Sequence, residues 1–295
     1  MRYIGRAQAL FDEYKIKPVY VIDYPVANQE DGYRPLQEIH ADGRCVIGAH
    51  LHPWVNPPFD EPLLRRNSFP GNLPRALEAK KLQVLGECIG KRFGQAPVLY
   101  KAGRYGVGPH TASILEEQRY QIDLSVCPEM DYSAEGGPDF TSYSAWPYWF
   151  GSGLLELPLT VGYTGRLRRW GKMCRSLLTT ERSIRWRIPG VLARLNLLEK
   201  VWFSPEGHVS SEQERLLRAL ISDGLKVFTF AFHSPSLAPG HTPYVRSQKD
   251  LEQFMARCRS VLDFFMGECG GRPTTPMEVK SMLVPLTHLR HQEDP

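Results

Sequence analysis

Short apolar runs rich in β-branched residues alternate with segments of helical periodicity along most of the chain. Most of these runs end near Pro, Gly, Asp or His, a pattern typical of strands buried in a sheet. Strands separated by helices favour parallel pairing, as in α/β folds. The seven predicted strands are PVYVID (18–23), CVIGAH (45–50), PVLYKA (97–102), QIDLSV (121–126), LLELPL (154–159), VWFS (201–204) and KVFTFAF (226–232).

Helices are predicted from apolar positions at 3.6-residue spacing and from capping residues. The first predicted helix, 3–14, precedes the first predicted strand. Ser211 and Glu214 predict a capping box for the run ERLLRALISD, and Gly224 predicts the end of that helix. A last long helix carries one apolar stripe, made of Leu251, Phe254, Met255, Cys258, Leu262 and Phe265.

Polar side chains fall at or just after the C-terminal ends of most predicted strands. In a β/α barrel the loops at that end converge and form the active site, so we favour a barrel over an open sheet. The run GRYGVG (103–108) lacks the spacing of a phosphate-binding glycine motif, which disfavours a nucleotide-binding fold. The strand-end residues are Asp23, His50, His52, Arg104, Ser125, Glu206 and His233.

Composition and cysteine spacing narrow the class of protein. The chain has 295 residues and 42% hydrophobic content, ample for a packed α/β core. The chain has six cysteines and no CxxC motif. We therefore expect reduced thiols rather than disulfides or a cysteine zinc site. We find neither a leader-like apolar run at the start nor an 18-residue apolar run, and we expect a cytoplasmic protein.

The positive charge is concentrated in one segment. Residues 166–187 contain eight basic residues against Glu181 alone, whereas the whole chain has a net charge of +4. Trp170 and Trp186 are interleaved with these arginines. Such a segment indicates either an anionic glycan or phospholipid surface as partner, or simply a solvated excursion. No nucleic-acid-binding motif accompanies it, and we expect no nucleic acid partner.

The segment GAHLHPWVNPP (48–58) carries two histidines at the end of an apolar run. In a strand, His50 and His52 point the same way with β-carbons roughly 7 Å apart, so both could bind one ion. The alternative is a strand that runs into a stiff loop around Trp54. Arg104 lies between glycines and could hold a carboxylate or form a surface salt bridge.

His233, at the end of a predicted strand, has the position of a general acid or base. His241 is a weaker candidate because it lies in a Pro/Gly-rich turn. Ser234 and Ser236 follow His233, but the chain has no GxSxG elbow, so a serine hydrolase is disfavoured.

Several collinear phrases resemble the polysaccharide deacetylases of the NodB-homology group. They are YKIKPVYVIDYP, CVIGAHLHPW, YKAGRYG, YQIDLSV and FAFHSPSL. HPWVNPPFDE, NSFPGNLP, GGPDF and FHSPSLAPGHTPYVR resemble more narrowly the WalW branch. The resemblance spans about 6–265 and implies an irregular (β/α) barrel. We therefore expect one domain over 1–295, with a basic insertion near 163–200 and a tail after about 275.

The resemblance implies a metal-dependent hydrolase that removes an N- or O-acetyl group from a sugar of polysaccharide or lipopolysaccharide metabolism. The expected cofactor is a divalent metal, usually zinc, on His50 and His52. Arg104 would orient a catalytic carboxylate, and His233 would protonate the leaving group. The residues expected to contact the carbohydrate substrate are Trp54, Asn56, Tyr105, Ser125 and Ser234.

This sequence departs from the family pattern at two places. The usual second metal histidine follows the first by four residues, and Trp54 stands there, so His52 would serve instead. The family's first motif lies on a strand before the first helix, whereas this sequence starts at that helix. Two alternatives stay open: either the sequence is truncated ahead of this helix, or the barrel lacks its first strand and the usual metal carboxylate. Asp23 is then the strand-end carboxylate expected to act as substitute ligand. The alternative is a catalytically inactive barrel that binds a glycan or lipid-linked sugar.

Overall fold

A computed structural model of the chain describes residues 1–150 and 153–283. These residues divide into two compact units. The first unit comprises Met1–Val126, Met130–Pro158 and the described residues from Pro273 onward, and the second comprises Cys127–Glu129 and Leu159–Arg272. The assignment of 1–295 to one domain stays a prediction.

Helices and strands alternate through both units. The strands are β1 (Val19–Ile22), β2 (Val46–Leu51), β3 (Leu99–Ala102), β4 (Ile122–Asp123), β5 (Tyr148–Phe150), β6 (Leu154–Glu156), β7 (Val161–Thr164) and β8 (Glu199–Trp202). The helices are α1 (Ile4–Glu13), α2 (Tyr24–Asn28), α3 (Glu30–Ala41), α4 (Arg75–Phe93), α5 (Thr111–Glu117), α6 (Ser176–Thr179), α7 (Glu181–Arg185), α8 (Ile188–Arg194), α9 (Ser210–Ser222), α10 (Gln248–Asp263) and α11 (Pro276–Met282).

A six-stranded sheet forms the centre of the first unit. Its order is β1-β2-β3-β4-β6-β5, and neighbouring strands are parallel except β5, which runs antiparallel to β6. The predicted α/β class with a mostly parallel sheet is therefore confirmed. Among the described residues no ladder joins β1 to β5, so closure into an irregular barrel stays a prediction. The first described helix, α1, precedes β1 as the apolar spacing predicts.

A pair of buried carboxyl groups lies in this sheet. Asp123 on β4 and Glu156 on β6 are register partners and are 2% and 0% exposed. Asp123 Oδ1 accepts hydrogen bonds from the Ser125 backbone N–H, at 3.0 Å, and from the Ser125 hydroxyl. Glu156 Oε1 accepts from the Val126 N–H at 2.9 Å. Burial raises the pKa of Asp123 to about 6, and burial together with the Asp123 charge raises the pKa of Glu156 well above its ordinary value.

The predicted tail after about 275 begins with α11, which belongs to the first unit. Lys280 on this helix donates to the Gly153 carbonyl at 2.9 Å. The remainder of the predicted tail, 284–295, lies outside the described residues.

The second unit contains a two-stranded antiparallel sheet of β7 and β8. Helices α6, α7 and α8 lie between these strands along the chain, which places them in the predicted basic insertion near 163–200. Helices α9 and α10 supply apolar side chains that pack with β8. The buried cluster consists of Val201, Phe203, Leu216, Leu217, Val261 and Phe264.

The predicted strand KVFTFAF (226–232) is wrong in the structure, because this segment joins no ladder among the described residues. Its backbone makes isolated bonds instead: the Thr229 N–H donates to the Thr160 hydroxyl at 2.7 Å, and the Ala231 N–H donates to the Phe203 carbonyl at 3.3 Å. Strand propensity alone therefore does not make this segment a strand.

The predicted capping box of α9 is also wrong. The carboxylate of Glu212, rather than Glu214, accepts from the Val209 backbone N–H at 3.1 Å. The helix begins at Ser210, two residues before the start that the Ser211 cap predicted, and this shifts the third helical position from Glu214 to Glu212. The predicted end is confirmed, since Gly224 adopts a φ of +95° just after the helix.

The six cysteines are all free thiols, which agrees with the sequence-based expectation. Within 1–150 and 153–283, none of the helices combines the length and the apolar character needed to cross a membrane.

Candidate functional site

Two imidazole rings meet at the C-terminal end of β2. His50 and His52 are two residues apart in extended backbone, so their side chains leave the same face. Their Nε2 atoms are 3.0 Å apart, and the ring planes cross at 88°. The structure therefore brings the two side chains together with their Nε2 nitrogens in direct contact.

The protonation of His50 follows from its neighbour on β3. Its Nδ1 lies 2.9 Å from the carbonyl oxygen of Lys101. A carbonyl oxygen can only accept, so Nδ1 carries the hydrogen and Nε2 holds a lone pair. In the absence of a metal, the Nε2–H of His52 can donate to that lone pair. The same tautomer suits a metal ligand, because ligating histidines commonly donate their other N–H to a carbonyl or carboxylate.

The glycine of the AGRYG segment permits this arrangement. A β-carbon at Gly103 would lie 2.5 Å from the Leu51 carbonyl oxygen and 2.7 Å from His52 Nδ1. Both distances are too short for real atoms, so only glycine allows the turn after β3 to pass this closely. The predicted histidine motif and the predicted arginine motif are thus in direct contact.

We expect Gly103→Ala to displace the His52 ring, because the added methyl group overlaps its Nδ1. The imidazole resonances of His52 should shift in NMR spectra, and zinc binding should weaken by tenfold or more. Gly5→Ala on α1 is the matched control, since a β-carbon there meets nothing within 4 Å. Unchanged His52 resonances in Gly103→Ala would contradict this packing.

The two histidines supply part of the ligand set that a zinc ion requires. Convergent nitrogens and a carbonyl-bound Nδ1 fit a metal site. Among the described residues, however, no group of three or more His, Cys, Asp or Glu side chains is arranged to hold an ion. Within 1–150 and 153–283 the donor set is therefore a pair of nitrogens, which would bind zinc more weakly than a three-ligand site.

Asp23 has a structural role that its position in the sequence does not reveal. Its carboxylate accepts a hydrogen bond from the Val26 N–H at 3.0 Å and caps the N-terminus of α2. Asp23 does not join the histidines in a metal-binding group among the described side chains. The expectation that Asp23 substitutes for the missing metal carboxylate stays a prediction, and its Oδ1 atom serves the helix end.

A buried lysine organises the loop that follows the histidines. Lys81 on α4 is fully buried, and its ammonium forms an ion pair at 3.0 Å with Glu61, whose side chain is 3% exposed. The same ammonium donates to the carbonyls of Pro53 at 3.0 Å, Asn56 at 2.6 Å and Pro58. The Lys81 ammonium therefore binds four oxygen atoms of the loop from 53 to 61.

Sequence reasoning missed Lys81, although a signal for it exists. Its position belongs to the stripe of α4 that also carries Leu82, Leu85 and Ile89, all buried. A lysine on an apolar stripe indicates a buried partner, because an unpaired charge is costly to bury.

Arg104 holds a carboxylate, but the partner comes from a loop. Its guanidinium donates to Glu135 and, at 2.6 Å, to the hydroxyl of Ser68, and it lies 4.4 Å from the ring centroid of Phe69. Arg104 and Tyr105 have φ values of +54° and +61°, unusual for residues with a β-carbon. Strain of this kind concentrates at functional sites, and here the contacts of both side chains stabilise it.

Two of the residues expected to contact substrate present aromatic rings for such a role. Trp54 is 40% exposed and lies two residues after His52 in the chain. Tyr105 is half-buried, stacks on Tyr132 at 5.4 Å, and lies 4.7 Å from the Lys101 ammonium. Exposed or partly exposed aromatic faces of this kind can stack on sugar rings.

Two other residues expected to contact substrate are fully buried. Asn56 donates to the carbonyls of Pro57 at 2.8 Å and Lys81 at 2.9 Å. Ser125 donates to Asp123 and accepts from the Ala102 N–H at 2.7 Å. Direct substrate contact does not fit either side chain, because both are 0% exposed and engaged in the protein interior.

In the second unit, His233 forms a pair with Glu206. The imidazole Nδ1 lies 2.7 Å from Glu206 Oε2, and the side chains are 68% and 7% exposed. The other carboxylate oxygen accepts from the His233 N–H at 3.1 Å and from the Ser236 hydroxyl at 2.5 Å. A buried carboxylate that fixes one ring nitrogen leaves Nε2 as the position for proton exchange. Ser234 and His241 are both exposed.

Comparisons with known proteins give structural likeness only. No protein-family model matches the sequence, and no curated protein matches it. A protein described as a polysaccharide deacetylase from Mycobacterium smegmatis is 17% identical, with 92% of this chain and 79% of that chain covered and a TM-score of 0.43. One so described from Pseudomonas aeruginosa PAO1 is 20% identical, with 54% and 44% covered and a TM-score of 0.37.

A third solved structure is more similar in fold. The 4-alpha-glucanotransferase from Thermococcus litoralis is 15% identical, with 94% of this chain and 36% of that chain covered and a TM-score of 0.51. This chain thus spans about a third of the enzyme's length. At such low identity the likeness concerns the fold alone, and the chain shares its fold with the matched part of that protein.

Proposed function

We propose that this chain is a carbohydrate deacetylase-like hydrolase of the NodB-homology group, WalW branch, with His50 and His52 as its metal-binding nitrogens. The observation that carries the proposal is the histidine pair, with Nε2 atoms 3.0 Å apart and the Nδ1 of His50 held by the Lys101 carbonyl. The sequence phrases around this pair resemble the same family. A divalent metal bound there, zinc in the first instance, would supply Lewis-acid assistance for the attack on an acetyl carbonyl.

The chain's own residues have separate roles in this proposal. The Lys101 carbonyl keeps the His50 lone pair on Nε2, and Gly103 allows His52 to lie beside it. Trp54 offers an exposed indole for a sugar ring. In the second unit, Glu206 fixes the Nδ1 of His233 and leaves Nε2 as the nitrogen available for proton exchange.

The test is to measure zinc content and acetate release with the purified full chain. N-acetylglucosamine oligomers and O-acetylated xylan are suitable probes, because they present the two kinds of acetyl linkage. We expect about one equivalent of zinc at saturation and its loss in His50→Ala and His52→Ala. His110→Ala, an exposed histidine before α5, is the matched control. Zinc retained in both variants would refute the proposed ligands.

The second candidate is a catalytically silent protein that binds a glycan or a lipid-linked sugar. It is favoured by the lack of a third ligand beside the histidines among the described residues. Negligible zinc binding and no acetate release, together with oligosaccharide binding that Trp54→Ala removes, would select this candidate over the hydrolase.

A further inference from the structure

The basic insertion exposes an unusual number of large apolar side chains. Of the nineteen large hydrophobic residues that are exposed among the described positions, eight fall between 167 and 195. Trp186 is 71% and Met173 76% exposed. The other six are Leu167, Trp170, Leu177, Ile184, Val191 and Leu195.

These side chains are uncovered because the insertion consists of very short helices. Helices α6 and α8 bury none of their residues, and α7 buries Ser183 alone. Helices of four to seven residues are not stable by themselves, so ordinary helices of this length are held by an apolar face against a core. Here the apolar residues of these helices lie at the surface instead.

The base of the insertion is nevertheless firmly anchored. The Arg166 and Leu167 N–H groups donate to the carbonyls of Asn196 and Leu197 at 3.0 and 2.7 Å. The start and the end of the insertion are therefore hydrogen-bonded to each other. Gly171 packs so tightly on Tyr163 that a β-carbon there would lie 2.3 Å from the tyrosine ring. The exposed apolar side chains therefore belong to a segment whose two ends are hydrogen-bonded to each other and whose first turn packs against β7.

Eight basic side chains accompany this apolar surface, and two of them form ion pairs. Arg168 pairs with Asp223, and Lys172 pairs with Glu129 at 3.2 Å. The other six arginines of the segment form no ion pair with any acidic residue that the structure describes. They are Arg166, Arg169, Arg175, Arg182, Arg185 and Arg187.

We propose that this insertion docks the protein on the surface of an anionic phospholipid bilayer. Unpaired arginines complement the negative headgroups, and the indoles and aliphatic side chains between them enter the headgroup and acyl boundary. Tryptophan in particular favours that interface. A polyanionic glycan or a nucleic acid would satisfy the arginines alone, since neither offers an apolar phase for Met173, Ile184 or Leu195.

Vesicle sedimentation with the full chain tests the proposal. We expect binding to phosphatidylcholine vesicles that contain phosphatidylglycerol, little binding to phosphatidylcholine alone, and release at high salt. Neutralising three arginines by Arg182→Gln, Arg185→Gln and Arg187→Gln should weaken binding on the order of a hundredfold. The matched control neutralises Arg2, Lys17 and Lys91, which are exposed residues of the first unit.

A second variant separates the apolar contribution from the charge. Replacing Trp170, Ile184 and Trp186 with serine should also abolish vesicle binding, whereas serine at Trp146, Leu63 and Met282, exposed elsewhere, should leave it intact. Equal binding to neutral and anionic vesicles, or no vesicle binding by the unmodified chain, would overturn the proposal. Retention on heparin or duplex DNA that the arginine variant loses and the serine variant keeps, without vesicle binding, would overturn it as well.

Discussion

Replacing Lys81 with methionine should lower the free energy of unfolding by about 3–5 kcal/mol, because the buried carboxylate of Glu61 loses its partner. The carbonyls of Pro53, Asn56 and Pro58 lose their donor in the same change. Removal of one member of a buried ion pair is far more costly than removal of both. Urea unfolding of the full chain at neutral pH measures the effect.

The Lys81 variant should also weaken zinc binding at the histidine pair. Pro53, whose carbonyl accepts from Lys81, follows His52 directly in the chain, so a loosened loop leaves that imidazole without a fixed position. The double variant Lys81→Met with Glu61→Gln should recover a part of the stability, since it removes the orphaned charge.

Lys80→Met is the control for the Lys81 experiment. This neighbouring lysine is exposed on the same helix and donates to Gln83 at 3.2 Å. Its replacement should change the free energy of unfolding by less than about 0.5 kcal/mol. A cost below about 1 kcal/mol for Lys81→Met would contradict the assignment of Lys81 as the cation that organises the loop.

The elements of the first unit are mostly predictable because each has a local signal. The apolar run VIGAHL predicts β2, and the two-residue period of extended chain places His50 and the following His52 on one face. The approach of Gly103 to His52 could not be predicted, since it depends on the register of β2 against β3. Lys81 was missed for a similar reason: helical spacing places it on a stripe, but only the fold supplies Glu61.

The strand prediction in the second unit failed because residues with strand propensity found no neighbouring strand to pair with in the part of the chain that the structure describes. Residues 226–232 have strand propensity, yet pairing requires a neighbour with free backbone groups at the right register. The Thr160 hydroxyl takes the Thr229 N–H instead. Glu206, the partner of His233, lies 27 positions earlier in the chain. The sequence places each residue after a predicted strand, but spacing alone does not show that the two side chains form a pair.

The carboxyl pair of β4 and β6 should make the protein less stable as the pH rises. Below about pH 3 both carboxyls are protonated in the folded and the unfolded chain, so they contribute no pH dependence. Above it the unfolded chain releases these protons, while the folded chain retains them because burial raises the pKa of Asp123 to about 6 and that of Glu156 well above its ordinary value. Each retained proton lowers the free energy of unfolding by about 1.4 kcal/mol per pH unit.

Glu156→Gln should remove one retained proton and flatten this dependence. The amide oxygen can still accept from the Val126 N–H, and the amide nitrogen can donate to Asp123, so the fold keeps its local bonds. We therefore expect similar stability of variant and unmodified chain near pH 4, and a more stable variant at pH 8. Urea unfolding from pH 4 to 8 measures both curves, with Glu38→Gln, an exposed carboxylate on α3, as the control. Parallel curves for Glu156→Gln and the unmodified chain would show that the retained proton lies elsewhere, for example on Glu78, whose pKa burial raises to about 7.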